Sequence, residues 1–142
     1  MPTGNQIVTA ARGWLQTPFH HCQRTKSLAV DCVGLVIGVG HELGLFEYDN
    51  TAYSHIAPEG ITRSELMKFC FPVPKGAAWE PGDILLFRIG GYEQHVAFFC
   101  GGEPATMIHA YAQAGKVAEH EMTASWSDRV SGVFRFFDLD GE

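Results

Sequence analysis

The sequence predicts an α+β fold, with helices first and an antiparallel meander of strands second. Three observations carry that reading. Apolar residues recur at helical period before Gly44. From Gly82 onward the apolar runs shrink to strand length. Glycine-bearing turns separate most of those runs. The chain has 142 residues, 46% of them hydrophobic, which suits a single domain over 1–142 with its own core.

Each element has a local cause. Thr3 and Gln6 have capping-box spacing, and Ile7, Ala10, Ala11 and Trp14 then recur at helical period. A helix is expected over 4–15, ended by Thr17-Pro18. Residues 18–30, with two histidines and several basic groups, read as loop. Asp31 is a good N-cap and Gly44 a good stop, so 32–43 reads as a second helix. It contains Gly34, Gly38 and Gly40, each costing about 1 kcal/mol against alanine. Gly34 and Gly38 share one face, which admits close approach of another backbone. Leu35, Val39 and Leu43 lie opposite, so this helix is expected at the centre. Residues 45–61 read as loop. Thr62 and Glu65 repeat the capping-box spacing and predict a helix through Phe71, stopped by Pro72. An extended connection runs to Pro81. Strands are expected over 84–87, 95–100, 106–111, 116–121 and 132–137, with a helical turn near 125–129.

Composition excludes some functions. The net charge is −6 and no basic cluster appears, so nucleic-acid binding is not expected. The start of the chain has no basic stretch followed by an apolar run, so no secretory signal is expected. No apolar run is long enough to span a bilayer. Synthesis in the cytoplasm is the expectation. The four cysteines, Cys22, Cys32, Cys70 and Cys100, form no CxxC pair and are read as reduced thiols.

The stretch LAVDCVGLVIGVGHELG places Cys32 in the first turn of the second helix, directly after Asp31. Packing would explain a buried cysteine. A helix N-terminus also stabilises a thiolate, which points to a nucleophile of lowered pKa. CGGEPA at 100–105 reads as a hairpin connection centred on Gly102, which sets His95 opposite His109. Alternation places His95, Ala97 and Phe99 on one face, with Met107, His109 and Tyr111 beside them. Three readings follow. One histidine is core and the other surface; or both join a cysteine on zinc; or Cys32, His95 and His109 are nucleophile, base and orienter. Cys22, Cys70 and Cys100 read as packing or loop thiols. His41, His55 and His120 read as surface residues. His20-His21-Cys22 looks like a metal tract, and Phe134, Phe136 and Phe137 like a core strand.

The ordered set TPFHHC (17–22), DCVGLV (31–36), PGDILLF (81–87), HVAFF (95–99), IHAY (108–111) and a closing Trp126 with GVFRF resembles the NlpC family of papain-like cell-wall cysteine peptidases. It is most similar to members carried by phage tails and gene-transfer particles. The resemblance implies a papain-like fold, in which the nucleophile helix packs on a C-terminal antiparallel sheet. It implies Cys32 as nucleophile, His95 as base and His109 as the third polar residue, with no metal and no cofactor. It implies a cleft containing Phe19, His21, Asp31 and Val33, with Asp31 as partner for a substrate ammonium. Wall-cleaving members usually carry tyrosine where this chain has Phe19, and serine where it has Val33. The implied activity is hydrolysis of amide bonds in peptidoglycan stem peptides, with phage tail proteins as further partners and a virion-associated location. A tail-assembly protein with weak or lost catalysis, and a thiol-dependent acyltransferase, are the alternatives on the same fold.

Overall fold

The computed structural model describes residues 2–51 and 59–137, so His55 lies outside the described residues. Thr3 caps the first helix as its spacing requires. Its hydroxyl accepts from the Gln6 N–H at 3.2 Å, and its own N–H donates to Gln6 Oε1 at 2.7 Å. Helix α1 runs Gly4–Arg12 and ends at Gly13, earlier than expected. The chain turns there because residues 16–19 are pulled onto a strand. The Gln16 N–H donates to Val117 O at 3.0 Å and the Val117 N–H to Thr17 O at 2.9 Å.

The expected loop after Pro18 contains a small hairpin, β1 (Arg24–Thr25) and β2 (Ala29–Val30). Helix α2 spans Cys32–Glu42. Asp31 caps it, Oδ1 accepting from the Gly34 N–H at 2.7 Å. Gly44 follows with φ +69°, a conformation that favours glycine. Leu35, Val36, Ile37 and Val39 are all essentially inaccessible, so α2 is central as expected.

Its glycines are contact points. A Cβ at Gly34 would meet the backbone oxygen of Gln23 at 2.3 Å. A Cβ at Gly38 would meet the buried Trp14 indole at 2.4 Å. Gly38→Ala is therefore expected to destabilise the fold. Overpacking costs about 1–3 kcal/mol, while helix propensity returns about 1 kcal/mol. Urea unfolding should show a lower midpoint at unchanged slope; an unchanged or higher midpoint would mean that the indole moves aside freely.

Helix α3 is Ile61–Leu66, capped by Gly60 at φ +88° rather than by a Thr62 box. Thr62 is buried inside the helix, which removes it from the cap. The chain leaves the helix early, because Cys70–Pro72 forms strand β3 on the sheet edge. The remaining strands are β4 (Ile84–Ile89), β5 (Tyr92–Gly102), β6 (Ala105–Tyr111), β7 (Lys116–Glu121) and β8 (Val130–Phe136). A short helix, α4 (Ala124–Ser127), precedes β8. The six strands pair antiparallel in the order β3-β8-β4-β5-β6-β7.

Alternation buries both faces of this sheet. Ile84, Leu86, Val96, Phe98, Ile108 and Phe134 meet α1 and α2. Leu85, Phe87, Ala97 and Met107 form a second cluster, closed by Trp79, Phe99 and Trp126. The expected hairpin centre is corrected. Phe98 faces Ile108, Phe99 faces Met107, and a bulge falls between Phe99 and Gly101. The turn is Glu103-Pro104, not a loop centred on Gly102. Continuing the register puts Ala97, not His95, opposite His109. The offset is two residues, so both histidines still share a face and meet diagonally.

Candidate active site

Asp31 and Cys32 occupy the junction between β2 and α2. Asp31 is 3% exposed, and its Oδ2 accepts from the Cys22 N–H at 2.6 Å. That bond ties the 20–23 turn to the helix start. His21 Nδ1 lies 3.9 Å from the same oxygen. His21, Cys22 and Asp31 thus offer donor atoms within 4.8 Å of one another. Phe19 and Val33 are half-buried against the main core. Phe19 is fixed by backbone bonding, its N–H donating to Gly115 O at 2.8 Å.

Cys32 Sγ sits 4.0 Å from the carbonyl of Gln94, and the Val96 N–H points at it. The sulfur therefore rests on the backbone at either side of His95. The N–H groups of Cys32 and Val33 also point towards it. These are first-turn helix amides, which lack intrahelical acceptors. The expectation of a lowered thiol pKa is corrected here. Burial raises it, the Asp31 charge raises it further, and together they outweigh the amides, to about 12.

His95 is 8% exposed and His109 has no solvent contact. His95 Nε2 lies 2.6 Å from His109 Nδ1. Burial lowers His95 to about 4, and burial with the neighbouring imidazoles lowers His109 to about 2. Both rings are therefore neutral at pH 7, and the Cys32 thiol likewise holds its proton. Proton transfer from sulfur to imidazole is left to the reaction itself.

His120 joins this row, against the surface reading of the sequence. Its Nε2 lies 2.8 Å from His109 Nε2, and its Nδ1 lies 2.9 Å from Glu121 O. The signal was available in the β6–β7 pairing. Met107 faces His120 and His109 faces Ala118, so His120 lies diagonal to His109 on the same face. The Trp126 ring spans the row, with centroids 6.0 Å from His95, 5.1 Å from His109 and 5.5 Å from His120. Tyr111 stacks on His109 at 4.9 Å.

The bland expectations elsewhere hold. Cys70 and Cys100 are buried packing thiols. His41 is exposed, and Phe134 and Phe136 are core, whereas Phe137 lies past the end of β8 and is half-buried. Among the described residues no helix is long and apolar enough to cross a membrane.

No family model matches the chain, and no curated protein matches it significantly. Solved structures do. NlpC1 from Trichomonas vaginalis superposes with a TM-score of 0.71 at 17% identity, over 94% of this chain and 44% of that one. An NlpC/P60 family protein from Bacillus cereus gives 0.69 at 19% identity, over 95% and 40%. The peptidoglycan hydrolase RipB from Mycobacterium tuberculosis gives 0.63 at 18%, over 95% and 68%. The chain spans less than half the length of the first two. The fold is the α+β, papain-like arrangement of NlpC/P60 proteins.

Proposed function

We propose that this chain, which has the NlpC/P60 fold, is a cysteine hydrolase of peptide amide bonds in the bacterial cell wall. The observation that carries the reading is the Cys32 sulfur seated on the backbone flanking His95, whose ring is bonded to His109. The name of the similar structure, a peptidoglycan hydrolase, supplies the substrate class.

In the proposed reaction Cys32 is the nucleophile and His95 the base. His95 Nε2 is occupied by His109, which leaves Nδ1 to take the thiol proton. Sulfur then bonds to the amide carbon, and the carbonyl electrons move onto oxygen. The Cys32 and Val33 N–H groups, which point at the sulfur, receive that oxyanion in this reading. Collapse breaks the C–N bond, and the leaving amine takes the proton from His95 Nδ1. Water, deprotonated by the same nitrogen, adds to the thioester carbon; the C–S bond breaks, and the released sulfur takes the proton back from His95 Nδ1. A neutral resting pair suits this cycle, because charge forms only when substrate is present.

Asp31 is assigned to a substrate ammonium, with His21 beside it. Phe19 and Val33 offer no hydroxyl to that ligand, so recognition there falls to charge and shape. The link to phage tails rests on the ordered motif pattern from TPFHHC to GVFRF. A catalytically idle tail-assembly protein and an acyltransferase are the outcomes to separate. Mass analysis of muropeptides after incubation does so. The wild type should release shortened stem peptides, and Cys32→Ala should release none. Transfer of the acyl group to an added amine would mark an acyltransferase. No difference between the two proteins on any muropeptide would overturn the reading.

A further inference from the structure

We propose that His120 is a positioning residue that sets the tautomer of His95 through His109, so that a third imidazole aims the base. The inference rests on the hydrolase reading for its consequence, but not for its geometry.

The argument starts at a carbonyl. Glu121 O can only accept, so the His120 Nδ1 that lies 2.9 Å from it carries a hydrogen. A neutral His120 then has a bare Nε2. That nitrogen lies 2.8 Å from His109 Nε2, which must therefore be the donor. A neutral His109 with hydrogen on Nε2 has a bare Nδ1. That atom lies 2.6 Å from His95 Nε2, which in turn must be the donor. His95 is thereby left with a lone pair on Nδ1, the nitrogen that faces away from His109. With all three rings neutral, each has one way to satisfy its neighbour, and the direction of the whole row is dictated by one backbone oxygen. Burial keeps His95 and His109 neutral, which the logic requires. Trp126 and Tyr111 hold the rings in their planes.

Without an acceptor at 120, His109 has no reason to keep its hydrogen on Nε2. Moving it to Nδ1 would oppose the His95 Nε2–H and drive that hydrogen to His95 Nδ1. The base would then present a donor to the thiol. In a serine triad a wrong histidine tautomer costs roughly 10⁴-fold in turnover. Loss of His120 permits both tautomers, so the expected effect is smaller.

The test reads the rings directly. In protein labelled with nitrogen-15 at histidine, long-range proton–nitrogen spectra at pH 7 should show hydrogen on Nε2 of His95, Nε2 of His109 and Nδ1 of His120. His120→Leu should show mixed tautomers at His95 and His109. Its Cys32 should react with iodoacetamide about tenfold more slowly at pH 7. His120→Gln, whose side-chain oxygen accepts from the His109 Nε2–H, should restore both readings. Hydrogen on His95 Nδ1 in the wild type would overturn the proposal, as would an unchanged His95 tautomer in His120→Leu. The tautomers in the wild type are read without substrate. If muropeptides are untouched while the three rings show the expected pattern, the hydrolase reading fails and the aiming of His95 stands.

Discussion

His95→Ala is expected to lower muropeptide hydrolysis by on the order of 10²–10⁴-fold, the usual cost of losing a general base. The structure makes the loss severe for a specific reason. The Cys32 thiol is pushed up to about 12 by burial and Asp31, so it holds its proton at neutral pH unless a base takes it. His109→Asn is expected to retain much of the activity. Its side-chain oxygen can accept from the His95 Nε2–H, and its amide nitrogen can donate to His120 Nε2. His109→Ala offers neither and should fall between. Hydrolysis rates beside a thermal melt for each variant check this ordering. A folded His109→Asn as inactive as His95→Ala would show that the two roles are assigned wrongly.

Acid is expected to destabilise the protein well before its carboxylates titrate. Folded His95 and His109 have lowered pKa values, whereas unfolded histidines sit near 6.5. Below pH 6.5 the unfolded chain therefore binds protons that the native state refuses. Stability falls as pH falls, by up to about 1.4 kcal/mol per pH unit for each histidine. Two such groups give a loss on the order of 3 kcal/mol between pH 6.5 and 5, a large fraction of a typical 5–15 kcal/mol. For His95 the loss levels off near pH 4. The ion-paired Glu93 and Glu119, lowered by Arg63 and Arg12, add their own loss below about pH 4.5. Urea unfolding at a series of pH values measures the slope. His109→Asn should roughly halve it between pH 6.5 and 5; an unchanged slope would place the responsible groups elsewhere.

The sequence revealed most where the cause was local. The Thr3–Gln6 box, the Asp31 cap and the alternation around His95 and His109 all depend on near neighbours, and all appear in the structure. Strand β3 was missed because three residues ending in Pro72 carry no periodicity. Thr62 and Glu65 had the right spacing, but Thr62 was claimed by the interior. The hairpin register failed because the turn sits at Glu103-Pro104 rather than at Gly102, and the bulge beside Gly101 that then shifts the pairing by one leaves no mark in an alternation count. His120 looked like a surface residue because its partners lie on β6, eleven residues back. The thiol was misjudged because helix amides can be read from the sequence, whereas enclosure of a sulfur by Gln94 and Val96 cannot.

Trp126 covers the imidazoles, yet it hangs on a short helix with no buried residue. Helix α4 is four residues long and none of them is buried. It is held by turn bonds from Thr123 and by the ring contacts of Trp126. Segments with so little buried surface open at a small fraction of the global unfolding free energy. Amide hydrogens of α4 should therefore exchange with solvent far sooner than those of β5 and β6. Each such opening wets the histidine row while the sheet remains intact. The dryness that keeps those rings neutral is then a time average, governed by how often four residues let go rather than by how stable the domain is.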